Sequence, residues 1–197
     1  GRSVTHREFL ARVSVLAREL IAAGIGPEEG VVVCVPRSVE SVIAIHAVLA
    51  AGGQYVPVAT DAPADRVRYM IDTAGATIGL VTAGVTGVDG LLDRLIVVDS
   101  TSPVDLDAAP VADTLFTSGS TGRPKGVTVT HRAVLNRLLW GMEAFGIGPD
   151  DTVLLKTPVT FDVSVPELFT PPMAGARMVI APDDAHLDPH AIARLID

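Results

Sequence analysis

Residues 30–58 read GVVVCVPRSVESVIAIHAVLAAGGQYVPV, and this stretch decides the fold class. A β-branched run at residues 31–35 is followed by a helical pattern at residues 38–51 and a second β-branched run at residues 55–58. The first run lacks the polar–apolar alternation of a half-exposed strand, which indicates a strand buried on both faces of a parallel sheet. Two such strands joined by a helix are typical of α/β proteins.

The same succession of strand and helix patterns continues on both sides of this stretch. Further strands are predicted at residues 77–81, 95–98, 114–117, 127–130, 152–155 and 177–180. Further helices are predicted at residues 9–23, 65–73, 132–145, 164–173 and 188–197. The sequence therefore predicts an α/β fold with a layered helix–sheet–helix arrangement and mixed, mostly parallel sheets.

Composition excludes several classes of protein. Of the 197 residues, 48 % are hydrophobic and 19 % charged, which excludes disorder. Fifteen basic and 23 acidic side chains give a net charge of −8, which argues against binding to a nucleic-acid backbone. No apolar run reaches the roughly 20 residues that a membrane span requires. The single cysteine, Cys34, is predicted to be a buried thiol in a reducing compartment, so we expect a cytoplasmic protein.

The ten residues 117–126, TSGSTGRPKG, carry the most chemistry in the chain. Glycines permit the conformations that turn backbone N–H groups inward as an anion nest, and hydroxyls and Lys125 add donors for phosphate oxygens. The spacing differs from a Walker A loop, because Pro124 occupies the place of the second glycine. The alternative is a flexible Gly/Ser connector, but a connector does not require the basic residues that cluster here in an otherwise acidic chain.

Residues 117–126 resemble the signature of the adenylate-forming superfamily, which includes acyl-CoA synthetases, luciferases and the adenylation domains of nonribosomal peptide synthetases. Residues 4–9 are similar to the first core motif of the last group, and residues 49–58, followed by residues 63–66, are similar to its second. Residues 156–158, with 161–165 and Glu167, are similar to its fourth. The resemblance implies that residues 1–197 form the N-terminal portion of the large subdomain of an adenylation domain, without the later core motifs or the C-terminal subdomain.

The sequence departs from the family pattern at six positions. His6 stands in place of a tyrosine, and Ala59 and Thr60 replace an Asp-Pro pair. Asp113 and Phe116 each replace a tyrosine. Pro166 stands where the family often has a tryptophan on the wall of the substrate pocket, so the sequence does not predict which amino acid is chosen.

The resemblance implies activation of an amino acid by ATP, which forms aminoacyl-AMP and releases pyrophosphate. The product would be loaded onto the phosphopantetheine thiol of a carrier-protein domain, and an MbtH-like helper is a further partner that the family implies. Mg²⁺ would enter with ATP. The residues implied to hold the β- and γ-phosphates are Thr117, Ser118, Gly119, Ser120, Thr121, Gly122 and Lys125. This chemistry requires positioning and charge neutralisation, without a covalent nucleophile.

Asp162 is the second candidate site residue. Ser164-x-x-Glu167 fits a capping box, which would start a helix at Ser164 and leave Asp162 beside Phe161 in an apolar setting. A buried carboxylate without a partner is unfavourable, so Asp162 should meet a cation. The resemblance implies that it holds the α-ammonium group of the substrate, with Val163 and Pro166 lining the side-chain pocket. The alternative is an aspartate that accepts hydrogen bonds from nearby backbone N–H groups.

The histidines are interpreted as structural or surface residues. His131 is expected at a strand-to-helix junction and His46 in an apolar helix, and neither is predicted to be a general base. His186 and His190 flank Asp188, but no further ligand lies close enough in sequence to suggest a metal site.

Two alternatives to amino-acid activation stay open. One is an acyl-CoA or aryl-acid ligase of the same superfamily, which Asp162 disfavours. The other is a non-catalytic module that binds phosphate or a partner protein. No catalytic residue is predicted within residues 1–197, because the family's catalytic lysine lies in a later segment. We therefore expect this chain alone to bind nucleotide weakly and not to turn over.

Overall fold

Two sets of parallel strands organise the chain, and the computed structural model describes residues 3–106, 129–183, 185 and 188–196. In the first sheet, the strands in chain order are β1 (Gly30–Cys34), β2 (Gln54–Pro57), β3 (Ile78–Val81) and β4 (Arg94–Val97). Their order across the sheet is β2-β1-β3-β4, and β5 (Thr152–Leu155) and β6 (Arg177–Ile180) form a separate pair. Every pairing between these strands is parallel.

Helices lie between most of the strands, as the sequence predicts. They are α1 (His6–Ala22), α2 (Val39–Ala50), α3 (Ala64–Ala74), α4 (His131–Phe145), α5 (Ser164–Ala174) and α6 (Pro189–Ile196). The prediction of an α/β fold with parallel sheets is confirmed, with most element ends within two residues of those expected. The strand predicted at residues 114–117 and the first half of the one at residues 127–130 lie outside the described residues. No helix in the described part of the chain is long and apolar enough to cross a membrane.

Strand β1 lies at the centre of the first sheet and is buried throughout. Val31 pairs with Tyr55 of β2 on one edge and with Ile78 of β3 on the other. Val31 and Val33 belong to a large core cluster that also contains side chains of α1, α2, α4 and α5. Val32 and Cys34 point to the opposite face, where they join a smaller cluster with side chains of α3. The helix–sheet–helix layering is therefore built around this strand.

At Gly30 the end of α3 lies close to the start of β1. A Cβ atom at Gly30 would lie 2.9 Å from the carbonyl oxygen of Ala74, the last residue of α3. That atom belongs to the backbone, so it cannot move aside as a flexible side chain could. By contrast, a Cβ atom added at Gly26, in the turn before β1, would have no neighbouring atom within 4 Å.

We predict that Gly30→Ala lowers the free energy of unfolding by about 1–3 kcal/mol, because the added methyl group forces α3 away from the sheet. The matched variant Gly26→Ala should change it by less than about 0.5 kcal/mol. Urea unfolding followed by circular dichroism measures both. Equal unfolding midpoints for the two variants would contradict the close approach of α3 and β1.

Candidate functional site

The loop between β5 and α5, residues 156–163, carries Asp162 beyond the carboxyl end of β5. Ligands of open parallel sheets commonly bind at this end of the strands. Two turns shape the loop, closed by hydrogen bonds from the Phe161 amide to the Pro158 carbonyl (3.0 Å) and from the Ser164 amide to the Phe161 carbonyl (3.0 Å). They leave the tip of the loop at the surface of the described structure.

Asp162 is exposed, so the prediction of a buried carboxylate is wrong. Its neighbours Phe161 and Val163 are also exposed, by 58 % and 64 %. The apolar residues beside Asp162 in sequence belong to the exposed tip of the loop and do not fold over it. Among the residues that the structure describes, none forms a hydrogen bond or ion pair with the Asp162 carboxylate. The carboxylate is therefore accessible to a cationic ligand, and the alternative of bonding to local backbone N–H groups is not found in the described residues.

A narrow cleft lies between the Asp162 loop and strand β2 of the first sheet. The cleft measures about 10 Å³, room for about one water molecule, and its lining residues are Tyr55, Pro57, Val159, Thr160, Phe161, Asp162 and Val165. Burial raises the pKa of Tyr55, so its phenol stays uncharged beside the cleft. Val163 and Pro166, which the sequence places on a substrate pocket, do not line this cleft. Their role stays a prediction.

Glu167 binds the beginning of the same loop, and the predicted capping box is wrong. The N-cap residue of α5 is Val163, whose backbone is helical and which makes no side-chain cap. Ser164 instead donates its hydroxyl to the Phe161 carbonyl at 2.7 Å. The Glu167 carboxylate accepts hydrogen bonds from the amides of Lys156 (3.0 Å) and Thr157 (2.8 Å) and from the Thr157 hydroxyl (2.8 Å). Sequence reasoning placed Glu167 in a family motif but missed this contact, which joins residues ten and eleven positions apart.

The phosphate-binding candidates lie outside the described residues. They are Thr117, Ser118, Gly119, Ser120, Thr121, Gly122 and Lys125. What the structure describes is the end of the segment that follows them. There, Thr130 is the N-cap of α4, and its hydroxyl accepts a hydrogen bond from the Ala133 amide at 3.4 Å.

His46 is a buried, uncharged residue on α2. Its Nδ1 atom bonds to the Val42 carbonyl at 2.9 Å, and its ring packs between Phe9 and Phe169, with ring centroids 5.0 and 4.8 Å away. Burial lowers the pKa of His46 to about 4. The ring borders a half-open cavity of about 440 Å³ between α1, α2, α4 and α5, whose other histidines are His6 and His131. This packing agrees with the interpretation of His46 as a structural residue.

Asp188 has a structural contact at the start of α6. Its carboxylate accepts a hydrogen bond from the His190 amide at 2.9 Å and lies 3.8 Å from Arg194. In the described residues, no group of three histidine, cysteine, aspartate or glutamate side chains is placed to hold a metal ion. His186, the other histidine that the sequence places beside Asp188, lies outside the described residues.

The whole chain is similar to a described enzyme family and to several named synthetases and synthases. Residues 1–197 match the family described as AMP-binding enzyme. The chain is 40 % identical to phosphinothricin tripeptide synthetase PhsB of Streptomyces viridochromogenes, covering 100 % of this chain and 18 % of that protein. It is 37 % identical to tyrocidine synthase 3 of Brevibacillus parabrevis (98 % of this chain, 3 % of that protein). It is 38 % identical to enterobactin synthase component F of Escherichia coli (95 % and 15 %).

Solved structures of nonribosomal peptide synthetases share the fold. One is FmoA3 bound to α-methyl-L-serine-AMP, with a TM-score of 0.83 and 28 % identity, covering 100 % of this chain and 23 % of that one. Another is a four-domain synthetase bound to AMP and glycine, with a TM-score of 0.80 and 25 % identity (98 % and 15 %). This chain spans less than a quarter of each of these relatives and structures.

We predict that the free energy of unfolding falls as the pH decreases from about 6.5 to about 4, because His46 is buried in its uncharged form. In this range the unfolded state binds a proton at His46 that the folded state excludes, so unfolding is favoured by up to about 3 kcal/mol. Urea unfolding at several pH values measures the effect. His46→Asn should flatten the pH dependence between pH 6.5 and 4, whereas the same change at exposed His190 should leave it intact. A wild-type slope retained in His46→Asn would contradict the assignment.

Proposed function

The chain belongs to the family of AMP-binding enzymes and is closely related to the adenylation domains of nonribosomal peptide synthetases, and on this premise we propose that it activates an amino acid. The reaction joins the substrate carboxylate to the α-phosphorus of ATP, giving aminoacyl-AMP and pyrophosphate. Residues 1–197 would form the N-terminal portion of the adenylation domain. Because the chain covers only part of its relatives, turnover and carrier loading are proposed for the protein that carries it.

The exposed Asp162 carboxylate is the observation that supports this proposal most directly. It lies beyond the carboxyl end of β5, next to β2, and has no partner among the described residues. An α-ammonium group carries the opposite charge to this carboxylate and can donate hydrogen bonds to it. Hydrogen bonds between charged groups of this kind are about twice as strong as those between neutral groups. A fatty or aryl acid has no such group. Asp162 therefore favours an amino acid over the substrates of the other ligases in the superfamily.

ATP is the proposed second substrate. Among the related structures, one contains the ATP analogue AMPPNP and another AMP with glycine. In this chain the hydroxyls and backbone amides of residues 117–122, with the Lys125 ammonium, would hold the β- and γ-phosphates and neutralise the departing pyrophosphate. Mg²⁺ is proposed to arrive with ATP, held largely by the phosphates, as is usual for this ion.

The proposed acceptor of the aminoacyl group is the phosphopantetheine thiol of a carrier-protein domain. The related synthetases supply the context, since one of the similar solved structures contains four domains. An MbtH-like helper is the further proposed partner. Both proposals rest on the family relationship. The proposal that Asp162 favours an amino-acid substrate rests on the geometry of the described loop.

We predict that Asp162→Asn in the full-length protein raises the KM for the amino acid by about 10- to 100-fold, the loss typical for a hydrogen bond to a charged group. The KM for ATP should stay within twofold. Amino-acid-dependent exchange of pyrophosphate into ATP measures both constants. Asp150→Asn, at a second exposed aspartate, is the control and should behave as wild type. An unchanged amino-acid KM in Asp162→Asn would exclude the proposed contact with the α-ammonium group.

We predict that Lys125→Ala slows the same exchange reaction by about 100-fold or more, as expected when one donor to developing charge is removed. Thermal stability should change little, because the substitution removes a charge from a polar loop. Arg68→Ala serves as control, since Arg68 is exposed and pairs only with Asp65 of its own helix, at 3.5 Å, among the described residues. Exchange at the wild-type rate would refute the phosphate-clamp role.

A further inference from the structure

We propose that Glu167 is a positioning residue that fixes the Asp162 loop for amino-acid binding. The proposal rests on the proposed role of Asp162 and adds a residue that acts through it. Glu167 forms no hydrogen bond or ion pair with Asp162 in the described structure; it binds the opposite end of the loop. Its effect on the substrate would therefore be indirect, through the shape of residues 156–163.

Three hydrogen bonds donated to one carboxylate secure the start of the loop. Glu167 accepts from the Lys156 amide, the Thr157 amide and the Thr157 hydroxyl, at 2.8–3.0 Å. Acceptors with a full negative charge form the shorter and stronger class of hydrogen bond. Together these bonds fix the direction in which the chain leaves β5.

The carboxylate is itself held on a rigid support. Glu167 lies in the first turns of α5, and the next two residues, Leu168 and Phe169, are 0 % and 2 % exposed in the core. The Glu167 side chain is only 17 % exposed, which limits competition from water. At the far end of the loop, the Ser164 hydroxyl holds the Phe161 carbonyl. The loop is therefore tied to α5 at residues 156–157 and again at Phe161, and Asp162 directly follows the second tie.

The backbone bonds, and not the ion pair, carry this effect. The Lys156 ammonium lies 3.7 Å from Glu167, and the Lys156 side chain is 50 % exposed. Because the lysine end of this pair is solvated and the separation is long, the pair contributes little. This difference supplies a control, since Lys156→Met removes the ion pair and leaves all three hydrogen bonds to Glu167 in place.

The test measures pyrophosphate exchange with the full-length protein. We expect Glu167→Ala to raise the amino-acid KM by 5-fold or more, with the ATP KM within twofold of wild type. Glu167→Gln retains an acceptor oxygen and should restore the KM to within about threefold of wild type, and Lys156→Met should match wild type. A loss of stability alone would not raise the amino-acid KM while leaving the ATP KM unchanged.

A double variant shows whether Glu167 acts through Asp162. In an Asp162→Asn background, Glu167→Ala should add less than twofold to the amino-acid KM. An equal effect with and without Asp162 would overturn the positioning role. If Asp162→Asn raises the KM while Glu167→Ala does not, the present proposal fails and the proposed function stands. If neither variant changes it, the role of Asp162 fails as well.

Hydrogen–deuterium exchange of the wild-type protein tests the contact even if Glu167→Ala does not fold. The amides of Lys156 and Thr157 should exchange at least tenfold more slowly than the unbonded amides of the loop tip. Thr157→Val, which removes only the hydroxyl donor, should raise the amino-acid KM by about twofold. Unprotected amides at both positions would overturn the proposal.

Discussion

The complete burial of β1 is the constraint on which the rest of the structure depends. The strand has parallel neighbours on both edges and apolar layers on both faces, so its position fixes the placement of α1 and α2 on one side and α3 on the other. A slip of one residue in the strand pairing would exchange the two faces of β1, and a run of valines does little to prevent such a slip because both faces carry valine side chains. The close approach of Ala74 to Gly30 disfavours any residue with a side chain at this position, which helps to define the register.

Parallel strands also explain why chemistry collects in the loops that follow them. The strand ends of such a sheet face the same way, so the loops beyond them meet at a common edge. Here the loop after β5 reaches β2 of the other sheet, and the Asp162 cleft lies between them. The core that unites the two sheets includes Leu155 at the end of β5 and Tyr55 of β2. Burial of these apolar residues holds the exposed carboxylate in place relative to the first sheet.

Much of the fold could be read from the sequence because its signals are local. The helical pattern before Gly53 and the β-branched residues after it predicted α2 and β2 closely, and the boundaries of α5 and β6 were predicted equally well. The candidate site was predicted less completely. Asp162 was expected to be buried because it lies beside Phe161 in an apolar stretch of sequence, but an apolar neighbour in sequence does not establish burial when two successive turns expose both residues. The phosphate-loop candidates lie outside the described residues, so their assignment stays a prediction.

Glu167 shows where local reasoning ends. The pattern Ser164-x-x-Glu167 allows a capping box, and nothing within those four residues excludes it. The tertiary structure decides otherwise, since β5 delivers the amides of Lys156 and Thr157 to the same carboxylate. The sequence by itself determined the α/β class, the order of the elements and the family, because hydrophobic periodicity and short motifs are properties of neighbouring residues. Only the tertiary structure decided which donors reach Glu167 and whether Asp162 is buried, because both depend on segments that meet through packing.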